Sequence, residues 1–459
     1  MDNIIIDEII KIVGKENALT SPEERKCYSY DARTEGATPD LVVFPTSAQD
    51  VSKILILANK YRFPVIPRGQ GSGLTGGSIP LNGGVVITFT RMNRILEIDT
   101  KNLVAVVEPG VITFVFQEEV AKYGLFYPPD PASYKYSSIG GNVAECSGGP
   151  NSMKYGVTRD YVLGLEVVKA TGEIINTGVK TMKGVVGYDL TRLFVGSEGT
   201  LGVITKIILK LIPAPEAKAT ILALFRQVED TAEAVSGIVA AKIVPSTIEF
   251  MDQASIRCSE QANPMGIPED IEGLLLIEID GNADAIQALA QRIKVVLMEH
   301  NAADVKLTQD PIEADKLWQA RRVVSQATYN LNPVKIAEDV VVPRSNIPTL
   351  IRFLEDTGKK HGIPILSFGH AGDGNFHVSL MIKDTEEDYV KAHTAVEEIF
   401  LETIRLGGTL SGEHGIGTAK APYIGMELSP EVIETMRSIK AIFDPNNILN
   451  PGKIFVDRS

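Results

Sequence analysis

The chain of 459 residues is poor in cysteine, tryptophan and histidine, with three, one and six respectively. Cys27, Cys146 and Cys258 are far apart, odd in number and in no C-x-x-C pair. That argues against a disulfide framework and against an iron–sulfur cluster within this chain, and fits a reducing, cytoplasmic setting. Long apolar runs are missing: segments such as residues 84–90 are far too short to cross a bilayer, so no transmembrane segment is expected. The opening MDNIIIDEIIKIVGKE carries acids and no basic n-region, and its apolar positions recur at helical spacing. It reads as a surface helix, not a signal peptide. Positive charge is also short: the formal net charge is −13, which argues against nucleic acid or an anionic membrane as partner. An anionic small molecule in a locally basic pocket remains compatible with it. There is no repeat of fixed period and no low-complexity stretch.

What is present is ordinary globular composition, 44% hydrophobic and 22% charged, over a length that suits two or three domains with cores needing no staples. Residues 41–44 read as a strand, with Ser47 and Asp50 as N-cap and capping box of a helix through Leu55 and Ala58. Further strands are expected at 64–67, 84–90, 103–108, 159–170 and 202–211. Pro213 and Pro215 break the pattern and set a domain boundary. Beyond them, strands at 220–224, 247–251 and 273–280 and helices at 228–241 and 285–300 suggest an α+β domain with an antiparallel sheet. The division expected is 1–214, 215–408 and 409–459.

The segment Gly71-Ser72-Gly73-Leu74-Thr75-Gly76 matches G-x-G-x-x-G, yet Gly77, Pro80, Gly83 and Gly84 leave no room for the helix a dinucleotide site requires. Within Pro67-Arg68-Gly69-Gln70-Gly71-Ser72-Gly73, the glycines at 69, 71 and 73 instead leave successive backbone N–H groups free to converge as an anion nest. Two more glycine-rich loops follow, residues 137–149 and 196–204. Three such loops in one domain suggest a long cofactor lying over bare backbone.

The strings PRGQGSGLTGG, SIGGNVAECSGG, GYDLTRLFVGSEGTLGVIT and FDPNNILNPGK, in this order, resemble the FAD-linked oxidases of the vanillyl-alcohol oxidase/p-cresol methylhydroxylase fold. The likeness is greatest to their D-lactate dehydrogenase/glycolate oxidase flavin-subunit branch and runs from about residue 41 to 455. It implies an α+β architecture, a two-subdomain FAD-binding domain plus an α+β cap domain. It further implies that Pro67 to Gly73 hold the pyrophosphate and that Ser138, Gly141 and Asn142 line the flavin. Gly202 and Ile204 would give backbone contacts, and Asn450 would return to the flavin ring. Relatives with covalent FAD carry a histidine in the first loop; Gln70 and Ser72 stand here, so FAD is expected to be non-covalent.

Three histidines stand in unusual company. His370 and His377 flank Ala371-Gly372-Asp373-Gly374-Asn375 between apolar runs. With Asp373 and Gly374 as a two-residue hairpin turn, the two imidazoles lie opposite each other on one face, Cβ atoms about 5 Å apart. Glu413 and His414 adjoin between glycines. Two imidazoles and one carboxylate suit Zn²⁺ or Fe²⁺ with open positions, and one imidazole is left over. The resemblance implies the same division: His370, His377 and Glu413 as metal ligands, His414 as general base, Asn375 turned to substrate or flavin. It also assigns Arg321, in Trp318-Gln319-Ala320-Arg321, to the substrate carboxylate, a suitable partner for a planar guanidinium. Lys335 is left outside the site, and His300, His361 and His393 read as surface residues.

The expected reaction is FAD-dependent oxidation of a small D-2-hydroxy acid, D-lactate or glycolate, to the 2-oxo acid, by hydride transfer to flavin N5 with help from a divalent metal. Electrons would pass to a partner such as an electron-transfer flavoprotein or an iron–sulfur subunit. A zinc hydrolase is the first rival, and it leaves three glycine-rich loops unexplained. A non-catalytic flavin subunit is the second, and the intact His370, His377, Glu413 and His414 argue against it.

Overall fold

The computed structural model describes residues 1–32 and 35–456. Their contacts divide them into two units: the described residues of 1–149, 157–214 and 413–456, and residues 150–156 and 215–412. Residues 150–156 join the second unit because Lys154 and Tyr155 bind the Asp280 carboxylate, Tyr155 Oη at 2.9 Å. The second unit also runs past 408 to Gly412. Thr409 bridges to Val341, and the Gly412 N–H donates to Asp339 at 2.8 Å.

The first unit holds two larger sheets and a two-stranded pairing of Leu125–Phe126 with Ile212–Pro213. One has the spatial order Ala18–Leu19, Leu41–Val43, Val85–Thr88, Val65–Arg68, its last three strands parallel. The crossover between Leu41–Val43 and Val65–Arg68 is the helix Ala48–Tyr61, capped by Ser47, whose Oγ accepts from the Asp50 N–H at 3.2 Å. The Asp50 carboxylate returns to the Thr46 N–H at 3.1 Å instead of closing the box on Ser47. Val51, Ile54, Leu55 and Ala58 of this helix are fully buried on the strands. Val51, Ile54 and Leu55 each contribute about 1.5–3 kcal/mol on burial. The other sheet is antiparallel, in the order Ile95–Asp99, Val104–Val107, Val203–Lys210, Val162–Val168, Ile174–Gly178.

After the helix Pro430–Phe443 the chain docks on the first sheet. Ile448 and Asn450 exchange backbone bonds with Val65, both at 2.8 Å. The second unit is one seven-stranded sheet with every neighbouring pair antiparallel. Its order is Asp304–Thr308, Ala217–Phe225, Gly273–Gly281, Thr247–Asp252, Ile365–His370, Asn375–Ile382, Val334–Val341. The helices Gln253–Ala262 and Pro311–Ala327 cover one face through Ile256, Leu317 and Val324. Among the described residues no helix is long and apolar enough to cross a membrane.

Candidate active site and cofactor cradle

Register in the second unit decides which side chains meet. Side chains directly opposite in antiparallel strands share a face. One cross-strand row therefore reads Leu276, Glu249, His370, Asn375, Val341, and the next reads Leu274, Met251, Phe368, His377, Asp339. Both lie on the face covered by the helix Pro311–Ala327, since Leu274, Leu276, Met251 and Phe368 pack in its core. The apolar face thus turns polar along two adjacent rows.

His370 and His377 are diagonal neighbours, their ring centroids 5.1 Å apart and their planes at 87°. The sequence places them directly opposite; in the structure His370 opposes Asn375 and His377 opposes Phe368. The turn has four residues, 371–374, because its backbone is claimed from both sides. Gly372 donates to Ile248 O and Gly374 O accepts from the Val342 N–H, each at 3.1 Å. Gly374 has φ +86°, and a Cβ there would sit 2.1 Å from Val342 O, so only glycine serves. The register error is two residues, an even number, and leaves both imidazoles on the same face.

Sequence reasoning missed Glu249, which is fully buried. Its Oε1 meets His370 Nδ1 at 2.5 Å and its Oε2 accepts from Arg321 Nε at 2.5 Å. Burial pushes the Glu249 carboxyl up, but His370 and Arg321 outweigh it and hold it at about 2. A proton on Nδ1 shared with Glu249 would leave Nε2 as the lone-pair nitrogen of the His370 ring. Arg321 also lies over the Phe368 ring, 4.8 Å from its centroid. Arg322, by contrast, is half-exposed and pairs with Asp315 on its own helix, which separates the two arginines that motif position alone distinguished. Lys335 bonds Ser325 O at 2.7 Å, an exposed local contact. The signal for Glu249 was an acid in the middle of the apolar strand segment Thr247-Ile248-Glu249-Phe250-Met251.

Asp339, also missed, is fully buried opposite His377 and accepts from Ser411 Oγ at 3.3 Å and the Gly412 N–H at 2.8 Å. Asn375 is buried against Gly412, where a Cβ would come within 2.6 Å of its amide, and Asn375 Oδ1 has no hydrogen-bond partner among the described residues. Glu413 is the next residue along the chain. In the first unit its Oε1 lies 4.0 Å from His414 Nε2, and Thr75 Oγ1 donates to His414 O at 3.1 Å. His393 is exposed as expected. His361 is not a free surface residue: it is 12% exposed and bonds Glu398 at 3.2 Å. His300 is half-buried against Gly237.

In the first unit, Pro67 and Arg68 end a parallel strand, and residues 69–84 contain no helix, as the glycine spacing predicts. The backbone N–H groups of residues 70–74 have no partner among the described residues, the arrangement an oxyanion-rich pyrophosphate requires. Arg68 is buried and folds over Gly71, whose φ is +69° and where a Cβ would strike the guanidinium at 2.0 Å. The second glycine-rich segment is not a loop but the helix Ile139–Glu145, capped by Ser138. Its first N–H groups are already taken by Val111 O and Pro109 O, each at 2.8 Å. Asn142 Nδ2 donates to Thr113 at 2.7 Å. What this segment offers a ligand is bare backbone at Gly141, where a Cβ would meet only Ser138 Oγ, at 3.3 Å. Gly69 lies against the same hydroxyl, 2.6 Å from its own notional Cβ, so the nest and the helix start adjoin. Gly202 is glycine for packing, since a Cβ would meet Val167 at 2.4 Å, and Ile204 is buried in the strand beside it. Asn450, at φ +44°, donates through Nδ2 to Gly77 O at 2.6 Å and Glu198 O at 2.7 Å, while its Oδ1 is buried without a partner among the described residues. These open N–H groups, bare glycines and an orphaned acceptor fit a long phosphate-bearing cofactor.

A carboxyl cluster underlies this cradle. Glu198 accepts the N–H groups of Ile416 at 2.8 Å and Gly417 at 2.7 Å, and Asp31 accepts that of Gly76 at 2.8 Å. Glu145 is half-buried as a residue, but its Oε2 is shielded from solvent and has no hydrogen-bond partner among the described residues. Burial, then the charges of Glu198 and Asp31, push the Glu145 carboxyl well above the usual carboxylate range. Burial brings the Lys453 ammonium down to about 8, against the pull of Glu198, Asp31 and Glu145.

Two family descriptions match the chain, an FAD binding domain over residues 39–178 and the C-terminal domain of FAD linked oxidases over residues 214–454. The glycolate oxidase subunit GlcD of Bacillus subtilis is 47% identical over 451 residues, covering 98% of this chain and 96% of that protein. A D-lactate dehydrogenase of Anaerostipes hadrus is 35% identical over 459 residues, covering 97% of this chain and 96% of its own. Among solved structures, p-cresol methylhydroxylase with substrate bound aligns at a TM-score of 0.82 over 99% of this chain and 97% of that one. At 18% identity that likeness speaks for the fold alone.

Proposed function

The chain belongs to the FAD-linked oxidase family and is an FAD-dependent oxidoreductase, and on that premise we propose that it oxidises a small D-2-hydroxy acid, D-lactate or glycolate, to the 2-oxo acid. The observation that most supports the substrate class is the polar face of the second unit. Two imidazoles at chelating distance and a stacked guanidinium share one sheet face, a metal-ligand pair beside a carboxylate binder.

In this reading Arg321 binds the substrate carboxylate, and its flat fork sets the orientation of the α-carbon. His370 and His377 hold a divalent ion, Zn²⁺ or Fe²⁺, with Glu413, the residue after Gly412, as the third ligand. That ion supplies Lewis acidity that lowers the hydroxyl pKa. His414 takes the hydroxyl proton, a task a neutral imidazole performs near neutral pH. Bound FAD, held non-covalently, supplies the acceptor for the α-hydrogen and its electron pair. In the cradle, Arg68 and residues 69–73 meet the pyrophosphate, and Ser138, Gly141, Asn142, Gly202, Ile204 and Asn450 contact the remainder. Asn375 turns its unpartnered Oδ1 to the substrate. The acceptor for the reduced flavin is a partner protein, an electron-transfer flavoprotein or an iron–sulfur subunit. The three free thiols suit a cytoplasmic location.

The test is anaerobic flavin reduction with D-lactate, L-lactate and glycolate, on the wild type, His414→Ala and His370→Ala. His414→Ala is expected to keep metal and FAD but reduce its flavin roughly 10²–10⁴-fold more slowly, the usual loss for a general base. His370→Ala is expected to lose metal and keep FAD. Equal rates with L- and D-lactate, or unchanged reduction in both variants, overturn the reading.

A further inference from the structure

We propose that Glu249 is a positioning residue that couples the two halves of the substrate site, one carboxylate oxygen fixing the ring of His370 and the other fixing the guanidinium of Arg321. The inference rests on the reading of His370 as a metal ligand and Arg321 as the carboxylate binder.

The geometry follows from the fold. Glu249 stands at the centre of the sheet, directly opposite His370 in register, so its side chain emerges on the same face and beside the same ring. Oε1 meets Nδ1 of that ring. A proton held at Nδ1 fixes the tautomer and leaves Nε2 as the only lone pair on the imidazole. Oε2 takes Nε of Arg321 from the overlying helix, while the Phe368 ring supports the guanidinium plane from one side. Among the described residues Nε is the only Arg321 nitrogen with a hydrogen-bond partner, so the edge formed by its two Nη atoms is what remains for a substrate carboxylate. Side-on binding through Nε and Nη is closed off, and end-on binding through both Nη atoms is selected. Because the strand that carries Glu249 is paired on both sides, the angle between a cation on His370 and a carboxylate on Arg321 is set by one side chain.

Glu249→Gln and Glu249→Ala separate the two roles. Glutamine has one acceptor oxygen, so it serves His370 or Arg321 but not both. Alanine serves neither. Three readouts apply to the purified holoenzyme: the dissociation constant for Zn²⁺ or Mn²⁺, KM against kcat for D-lactate, and the tautomer of His370 by nitrogen NMR on histidine-labelled protein. In Glu249→Ala, metal affinity is expected to fall 10–100-fold, the usual effect of losing such an outer partner. The His370 resonance is expected to leave the Nδ1–H form. In both variants KM is expected to rise about tenfold or more through the loosened Arg321, a charged hydrogen bond lost. Glu249→Gln, nearly isosteric, serves where alanine fails to fold. Unchanged metal affinity, tautomer and KM in a folded variant overturn the proposal. His370→Ala and Arg321→Ala run alongside: if they leave metal affinity and KM intact, the underlying reading has failed, whereas effects there with none at Glu249 sink this inference alone.

Discussion

Asn450→Ala tests the cradle and the clasp that closes it at once. The Asn450 side chain ties three chain segments together: its own C-terminal segment, the loop at Gly77 and the turn at Glu198, all buried. Removing Nδ2 strands two carbonyl oxygens, at about 1–3 kcal/mol each. The same change deletes Oδ1, an acceptor that is buried and unpartnered, and relieves a penalty of about 1–3 kcal/mol in the cofactor-free protein. The net loss for the apoprotein is then about 1–3 kcal/mol. If, as proposed, a donor on bound FAD satisfies Oδ1, that relief disappears and the holoprotein loses about 1–3 kcal/mol more. That difference equals a fall in FAD affinity of roughly 5–150-fold. The assay is urea unfolding of apo and holo forms, together with FAD titration by flavin fluorescence. Lower stability with unchanged FAD affinity refutes the contact to the flavin and leaves Asn450 a purely structural clasp. Unchanged apoprotein stability refutes the clasp.

Two further outcomes follow from buried charge elsewhere in the first unit. A carboxyl whose folded pKa lies above its unfolded value of about 4.3 gives stability that is present at low pH and lost as pH rises through the folded pKa. Because Glu145 is raised in this way, Glu145→Gln is expected to raise the unfolding midpoint at neutral pH and change it little near pH 4; a variant no more stable at pH 7 speaks against the shared burial of Glu145, Glu198 and Asp31. Lys440→Met removes the cation from fully buried Asp444 and the donor to Thr200 O at 2.8 Å and Leu449 O at 2.9 Å, and is expected to cost about 3–5 kcal/mol in urea unfolding. Adding Asp444→Asn is expected to recover part of that loss, and a single variant within 1 kcal/mol of wild type contradicts the pairing.

What the sequence made legible tracks what is local. The helix Ala48–Tyr61 carries its own N-cap and an apolar stripe, and the strands of the parallel sheet are short Val/Ile runs, so each announces itself. The strands Ile95–Asp99 and Ile174–Gly178 escaped because they are edge strands with half-exposed faces, where polar residues interrupt the pattern. The segment at Ile139–Glu145 read as a loop because glycines 140 and 141 lower helix propensity. Tertiary contact decides instead: a Cβ at Gly140 would strike Pro109 at 2.5 Å, and Ser138 supplies the cap. The hairpin register was off by two because turn chemistry around Asp373 and Gly374 says nothing of Ile248 O and Val342 N, the groups that widen the turn.

Glu249 and Asp339 escaped for a different reason, and it bears on function. A sequence motif shows the residues that stand near one another in the chain, as His370 and His377 do; their supports come from strands more than a hundred and about forty residues away. Energetics also distinguish these supports from ordinary core. Their row neighbours Leu274, Leu276, Met251 and Phe368 are apolar and buried, and an apolar triad in place of Glu249, His370 and Arg321 is expected to be neutral or stabilising, since desolvating a carboxylate, a guanidinium and a polar imidazole offsets what their pairing returns. Stability therefore gives no reason for charge at the middle of this sheet. A requirement that one imidazole present a fixed lone pair, and one guanidinium a fixed edge, gives one. The acid in the apolar strand is the point at which the sequence breaks its own pattern, and it stands beside the residues that carry the proposed chemistry.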